Sequence, residues 1–523
     1  MGLVLGVDAG TTSLKAGLFD EHGRLLAGAV EEYALRTPEP VRAELDAGTY
    51  WAALVAVVRR ALTQANAHGA DVVALAVSSQ GETVVPVAAD GEPLSPAVVW
   101  LDNRASDEAD AIASRFDRQL VYAITGVPTV VPTWTACKLL WWQRHDPVLY
   151  RTAARFLLVE DFLLHRLTGG FVTEGGVQCT TLLYDIVHHG WWQPMLDLLE
   201  LSPERLGRLV SPGDVVGTLQ PAAAAALGLP TSVLVVAGGM DQGAGAVGVG
   251  NLGPGMISES TGGALTLQAS VARHGADPTG QTPVYVHSAP NRYLYCPVCP
   301  TGGMSLTWFR DQFGQPEVAR AAAEGRDAYD LLTELAATVP PGSDGLTMLP
   351  HLSGAFSPEY EPRARGVFFG FTLGHSRGHF VRATLEAVAF MLRRNLELLN
   401  AAGARAHEVR SHGGGARSAV WNQIKADVCG LPVVTLEGEE AAIRGDAMLA
   451  GVAAGLFRDL EEAAQLTVHT RRRFDPEPPS RAAYESAYRR YVELFDTVRP
   501  LFRWSDGQPT GIHEGDDGHT AGA

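Results

Sequence analysis

Two acids and a set of glycine-rich turns carry the chemistry that can be read directly from this 523-residue chain. Near its start, Gly6-Val7-Asp8-Ala9-Gly10-Thr11-Thr12-Ser13-Leu14-Lys15 follows the apolar run Leu3-Val4-Leu5, so a strand ends in an acid and then turns sharply. The glycines let backbone approach a ligand closely. Thr11, Thr12 and Ser13 offer hydroxyls and N–H groups, and Lys15 adds positive charge, so such a turn can hold phosphate. It is not a Walker loop, which needs Gly-Lys-Ser/Thr at the head of a helix. The same string also fits an ordinary Gly/Thr hairpin.

The second acid, Asp241, stands in Gly238-Gly239-Met240-Asp241-Gln242-Gly243, between the β-branched run Val233 to Ala237 and an Ala/Gly-rich helix. A carboxylate in the first turn of a helix is held ionised and oriented by N–H groups and the helix dipole, whether as a simple cap or as a reacting group. Two further turns have the composition of phosphate or ring cradles. Met256 to Leu267 repeats the opening theme of strand, Thr261-Gly262-Gly263 turn and strand. His412-Gly413-Gly414-Gly415-Ala416-Arg417-Ser418 separates a strand at 409–411 from a helix at 421–429.

Taken in order, Gly6–Lys15, Asp241–Gly243, Thr261–Gly263, Gly366–Glu386 and Gly413–Ser418 resemble the motifs of the FGGY carbohydrate kinases, within the sugar kinase, Hsp70 and actin superfamily. The most specific string is GVFFGFTLGHSRGHFVRATLE at 366–386. PTWTACKLLWWQRH at 132–145 matches a first signature through Lys138 and Trp141, while Thr133, Trp142 and Phe371 depart from the usual residues. The resemblance spans residues 3 to 503. It implies an α/β fold of two actin-like, ribonuclease H-like lobes with a cleft between them, residues 1–248 and 249–505, ahead of a tail at 506–523 whose Gly/Asp/His/Thr composition predicts disorder.

The resemblance also implies roles. Asp241 would be the catalytic base, and Asp8 would hold Mg²⁺ through water. Gly10, Thr11, Thr12, Ser13, Lys15, Thr261, Gly262, Gly263 and Gly303 would meet the phosphates of ATP, and Gly414, Gly415, Ala416 and Asn422 the adenosine. Gln80, Gly81, Glu82, Trp100, Asp102, Arg104, Asp241 and Gln242 would line the substrate site. There, fixed donors and acceptors suit the hydroxyls of an open-chain polyol, because an unpaired buried polar group is costly to either partner. For Asp102 and Arg104 the alternative is capping of the following helix.

The implied reaction is ATP-dependent phosphorylation of a small open-chain sugar, closest in pattern to xylulokinase-like kinases of a ketopentose such as D-xylulose. Gly81-Glu82-Thr83 nevertheless replaces the Met-His-Gly typical of xylulokinases and only partly matches the Arg-Glu-Thr of glycerol kinases. Glycerol, gluconate or another polyol is therefore an alternative substrate, and a non-catalytic nucleotide-binding regulator a second alternative.

The elements that must position these groups follow from periodicity. Paired strands are predicted over 3–30, an amphipathic helix over 49–66, a buried strand over 72–78, and strands over 84–87 and 97–101. Residues 171–192 look loop-rich, and glycine and proline at 251–255 mark a hinge. A small-residue helix covers 440–456, and a Tyr/Phe stripe from Tyr484 to Val498 reads as packing.

Composition sets the limits. With 46% hydrophobic and 19% charged residues the chain is globular, and its length suits two large lobes. A formal charge of −17 disfavours nucleic acid and anionic membrane as partners. An anionic nucleotide must therefore be met by local devices. No signal peptide and no membrane-length apolar run is predicted. Five cysteines suit a reducing cytoplasm, and the lone Cys296-Pro-Val-Cys299 lacks the second pair of a zinc site. The expected partner is a small sugar or polyol; a homodimer is an assembly the sequence leaves open.

Overall fold

The computed structural model describes residues 2–274, 277, 280–438 and 440–506. Beyond Asp506, the tail expected at 506–523 lies outside the described residues. Two mixed sheets organise the chain. In the first, six strands run in the order Val215–Thr218, Leu234–Met240, Val72–Ser79, Leu3–Ala9, Ser13–Phe19, Leu25–Glu32. The three middle strands are parallel, while Ser13–Phe19 returns antiparallel as a hairpin and Val215–Thr218 closes the opposite edge antiparallel.

The second sheet repeats this pattern. Met256–Thr261 and Leu265–Val271 form its hairpin, Glu408–His412 and Val433–Leu436 continue it in parallel, and Thr470–Phe474 closes it antiparallel. Each lobe thus has the same strand order, in keeping with the two related halves that the echo of the Thr-Gly turn at 256–267 suggests. The architecture is the α/β, two-lobe, actin-like fold.

The parallel strands end in the residues the sequence singled out. Asp8, Ser79-Gln80, Met240-Asp241, Thr261 and His412-Gly413 all lie at carboxyl ends, where open α/β sheets present their ligand groups. The helix Ala47–Gln64 covers one face of the first sheet. It buries Tyr50, Leu54, Val57, Val58 and Leu62, and its first turn is capped by Asp46.

The helix Ala441–Ala453 belongs in sequence to the second half yet packs on the first sheet. Ile443, Ala447 and Met448 share an apolar cluster with Val4, Ala74, Ala76 and Val236. It also crosses the helix Asp241–Gly248 closely enough that a Cβ on Gly445 would lie 1.9 Å from the Ala244 carbonyl oxygen. Small residues there let the backbones touch.

Some boundaries differ from expectation. The strand predicted over 97–101 stops at Val98, because Trp100 and Leu101 turn to bring the indole inward. The stretch 171–192 contains a one-turn helix, Gly175–Gln178, and short strands, organised by Glu174, whose carboxylate accepts the N–H groups of Gly176 and Val177. The helices predicted over 440–456 and 484–498 run Ala441–Ala453 and Pro478–Val498, with Tyr484, Tyr488, Tyr491 and Phe495 buried.

Candidate active site

Asp8 and Asp241 end two strands that flank Val72–Ser79. Ser78 is the register partner of Asp8 on one side and of Gly239 on the other. The acids therefore sit one strand apart and feel each other: burial, then Asp241, pushes the Asp8 carboxyl up to about 7, against the pull of Lys15. Asp8 Oδ1 is buried with no hydrogen-bond partner. Asp241 opens its helix as the first residue, with Met240 and not Asp241 in the cap position. Its Oδ1 accepts the Gln242 N–H at 2.6 Å. Burial outweighs that bond and raises the carboxyl to about 6. The helix terminus thus holds Asp241 less firmly ionised than its position alone predicts.

Glu82 completes the acidic cluster. Its backbone is left-handed (φ 54°), fixed by its N–H to Thr180 Oγ1 at 3.0 Å and by its carbonyl, which accepts from Lys138 Nζ at 3.0 Å and Thr135 Oγ1 at 3.1 Å. Burial lifts its carboxyl to about 8, Lys138 lowers it and Asp241 raises it. Burial correspondingly lowers the Lys138 ammonium to about 8.

Around these acids the remaining predicted substrate residues divide into two groups. Gln80 is buried, donates to the Tyr50 hydroxyl at 2.9 Å, and leaves Oε1 without a partner. The Trp100 indole N–H donates to Thr11 Oγ1 at 2.8 Å. Gln242 Oε1 accepts from Gln268 Nε2 at 2.7 Å, which ties the helix of Asp241 to the second sheet. Asp102 and Arg104, by contrast, bind each other. Fully buried, Asp102 accepts the Ala43 N–H and three Arg104 bonds, while Arg104 also reaches Glu44 at 2.5 Å. The next helix, Ser106–Arg115, has no side-chain cap, so capping does not explain the pair.

In the first hairpin the Gly10 N–H donates to the Ser13 carbonyl at 3.0 Å and closes the turn. Lys15 Nζ meets Glu440 Oε2 at 2.7 Å, a bridge to the head of the helix Ala441–Ala453. The second hairpin collects the other phosphate and adenosine candidates into one place. Gly303 N–H donates to Gly262 O at 2.8 Å, and Gly302 N–H to Gly263 O at 2.7 Å. A Cβ on Gly415 would lie 2.6 Å from Thr261 Cβ, so only glycine fits that contact. Gly262 and Gly263 stay exposed at the turn. Asn422 is fully buried, and its Nδ2 donates to the carbonyls of Ala416 and Ser418, both at 2.8 Å, so it shapes the glycine loop from within.

Sequence reasoning missed the support beneath these turns. Lys425, wholly buried, donates to Glu259 at 2.6 Å and to Thr261 Oγ1 at 2.9 Å, and Ser411 joins the same carboxylate. Asp446 reaches across from the second half to accept from Ser78 Oγ at 2.7 Å. Charged residues inside otherwise apolar or small-residue helices were the available signal. Cys296 and Cys299 are buried free thiols, Cys299 lying in a strand beside Leu265, so the CxxC string is a by-product of strand packing. His188 binds Asp185 at the surface. Among the described residues no group of three or more His, Cys, Asp or Glu forms a metal cage, and no helix is long and apolar enough to cross a membrane.

Comparison with known proteins supplies the family. Residues 3–248 match the model of the FGGY family of carbohydrate kinases, N-terminal domain, and residues 267–454 that of its C-terminal domain. The chain belongs to the FGGY carbohydrate kinases. It is therefore a phosphotransferase acting on a carbohydrate. This FGGY kinase is 30% identical over 501 residues to the xylulose kinase of Escherichia coli, covering 95% of this chain and all of the relative. The solved xylulose kinase of Rhodospirillum rubrum superposes with a TM-score of 0.87 at 29% identity, over 96% of this chain and 100% of that one. The gluconate kinase of Lactobacillus acidophilus superposes with a TM-score of 0.87 at 25% identity, over 96% and 99%. Similarity of this order spans kinases with different sugars.

Proposed function

We propose that this FGGY kinase transfers the γ-phosphoryl group of ATP to a hydroxyl of a small open-chain ketopentose such as D-xylulose, with Asp241 as general base. The observation that carries the reading is the state of Asp241. Among the described residues it caps no helix and pairs with no cation, and it takes hydrogen bonds only from its neighbour Gln242. A carboxyl raised to about 6 is ionised at neutral pH yet basic enough to accept a proton as the hydroxyl attacks.

Asp8 fits a divalent cation. Its Oδ1 is buried and unpartnered, and the neighbouring acids that raise its carboxyl leave a negative site that a cation relieves. Bound Mg²⁺ would neutralise charge on the transferring phosphate. The chain's own work is positional. The turn at Thr11–Ser13 and the cluster of Gly262, Gly263, Gly414 and Gly415 offer backbone N–H groups to the triphosphate, Gly303 holds that cluster through its bond to the Gly262 carbonyl, and the rim of Ala416 receives the ring. Gln80 Oε1, Glu82 and Gln242 face the sugar hydroxyls, with Trp100 as a wall. Lobe closure keeps water from the phosphoryl group. The five free thiols and high acidic charge suit work in the cytoplasm.

A second reading, phosphorylation of gluconate, glycerol or another polyol, is favoured by Glu82. This acid faces Asp241 and carries a proton near neutrality, so it can donate to a ligand oxygen. Incubating the purified protein with ATP, Mg²⁺ and a panel of ketoses, polyols and aldonates decides between them. D-Xylulose should give the highest kcat/KM; a preference for an aldonate or glycerol would replace the first reading with the second.

A further inference from the structure

Behind the turn that carries Asp241 lie two carboxyls that the reaction itself does not use. Glu160, in the helix Val159–Thr168, and Glu174, which precedes the helix Gly175–Gln178, are both fully buried. Glu160 Oε1 accepts the N–H groups of Gly238 at 3.0 Å and Gly239 at 3.2 Å, and the Glu160 N–H donates to Ser79 Oγ at 3.1 Å. Both oxygens of Glu174 are taken by the N–H groups of Gly176 and Val177. Glu174 is near enough for its charge to disfavour ionisation of Glu160, and Glu160 Oε2 is buried with no hydrogen-bond partner. Two ionised carboxylates so placed, out of water, repel each other. A single proton on Glu160 Oε2, turned toward Glu174, would relieve that repulsion and give the buried oxygen a partner.

We infer that Glu160 is a positioning residue: as a neutral acid it donates to Glu174 and grips the Gly238–Gly239 turn, and so aims the Asp241 carboxylate at the incoming hydroxyl. The grip is specific to this turn. Gly239 has φ 106°, a left-handed backbone that needs an external hold, and a Cβ there would lie 2.7 Å from Ser288 Oγ. The groups facing the pair are acidic or neutral at pH 7. They are Asp161 on the same helix, Asp446 from Ala441–Ala453, and Tyr184 and Cys179 beside Glu174. Burial and these acids hold Glu160 well above the usual carboxyl range, in keeping with the proton. Misplacing a reacting group by an ångström costs roughly 10²-fold in rate.

This inference rests on Asp241 being the base, and its test separates the two. Glu160→Gln keeps an acceptor for the glycines and an N–H donor for Glu174, whereas Glu160→Ala keeps neither. Expected are kcat within about threefold of wild type for Glu160→Gln and a fall of roughly 10²-fold for Glu160→Ala, with KM for ATP and sugar little changed in both. An infrared difference spectrum between wild type and Glu160→Gln at pH 7 should show loss of a protonated-carboxyl C=O band, and it remains readable if Glu160→Ala fails to fold. Loss of ionised-carboxylate bands instead, Glu160→Gln as impaired as Glu160→Ala, or full activity in Glu160→Ala would each overturn the inference. Asp241→Asn assayed alongside reports on the base: activity retained there sinks the base assignment while leaving the infrared result to judge the proton.

Discussion

The Trp100 indole N–H donates to Thr11 Oγ1 at 2.8 Å, so the wall proposed for the sugar and the turn proposed for the phosphate share one hydrogen bond. A sugar that moves the indole therefore moves the hairpin. Trp100→Phe keeps the apolar wall and removes the donor. We expect kcat to fall about fivefold, in line with a bond worth about 1 kcal/mol, and ATP hydrolysis without sugar to rise relative to transfer. Steady-state kinetics with both readouts checks this; unchanged coupling would show that the bond is incidental.

Asp241→Asn removes the proposed proton acceptor and keeps the shape. Sugar phosphorylation should drop by roughly 10²- to 10⁴-fold while folding is preserved. In wild type, kcat should rise with pH through about 6, because the base acts only when ionised. A flat profile between pH 5 and 8, with chemistry rate-limiting, would contradict the assignment.

Asp8, Glu82 and Asp241 are all raised by burial, to about 7, about 8 and about 6. A carboxyl raised in the folded state favours folding below its unfolded value and loses that contribution as pH climbs through its folded value. The ligand-free protein should therefore lose thermal stability from about pH 4 to 8, on the shifts cited and this linkage. Asp8→Asn should melt higher than wild type at pH 8 and show a weaker pH slope. Calorimetric or fluorescence melts across that range decide it.

The Lys425–Glu259 pair, both fully buried, carries Thr261 and Ser411. Lys425→Met strands a buried carboxylate and should cost about 3–5 kcal/mol of stability. Adding Glu259→Gln should return part of that loss. Chemical denaturation of the single and double variants measures the coupling; an additive result would show that the pair is not a unit.

At Gly445 a Cβ would meet the Ala244 carbonyl oxygen at 1.9 Å. Gly445→Ala should push apart the helices Asp241–Gly248 and Ala441–Ala453, cost about 1–3 kcal/mol, and lower kcat more than it raises KM for sugar. Equal stability and kcat in this variant would show that the crossing is looser than described.

The sequence by itself determined the two-lobe fold, the family and the placing of the acids and glycine turns at strand ends. Those features depend on local rules: alternation for strands, glycine where backbone must approach closely, and residue order along each repeated half. Asp8 and Asp241 stood out because each falls in a motif resembling the family's; by itself, an acid at the head of a helix such as Asp241 fits a simple cap as well. Tertiary structure alone decided what those groups feel. That Ser78 lies between the two acids, that Lys15 pairs with Glu440 and Gln242 with Gln268, that Asp102 and Arg104 satisfy each other, and that Glu160 grips the turn of Asp241 from a helix 78 positions away in the chain are long-range facts. Burial and charge coupling depend on distance through space, which periodicity along the chain does not encode. The helix Ala441–Ala453 was visible as a small-residue helix, but only the packed molecule shows that it covers the first sheet and brings Asp446 to Ser78, between the strands of Asp8 and Asp241.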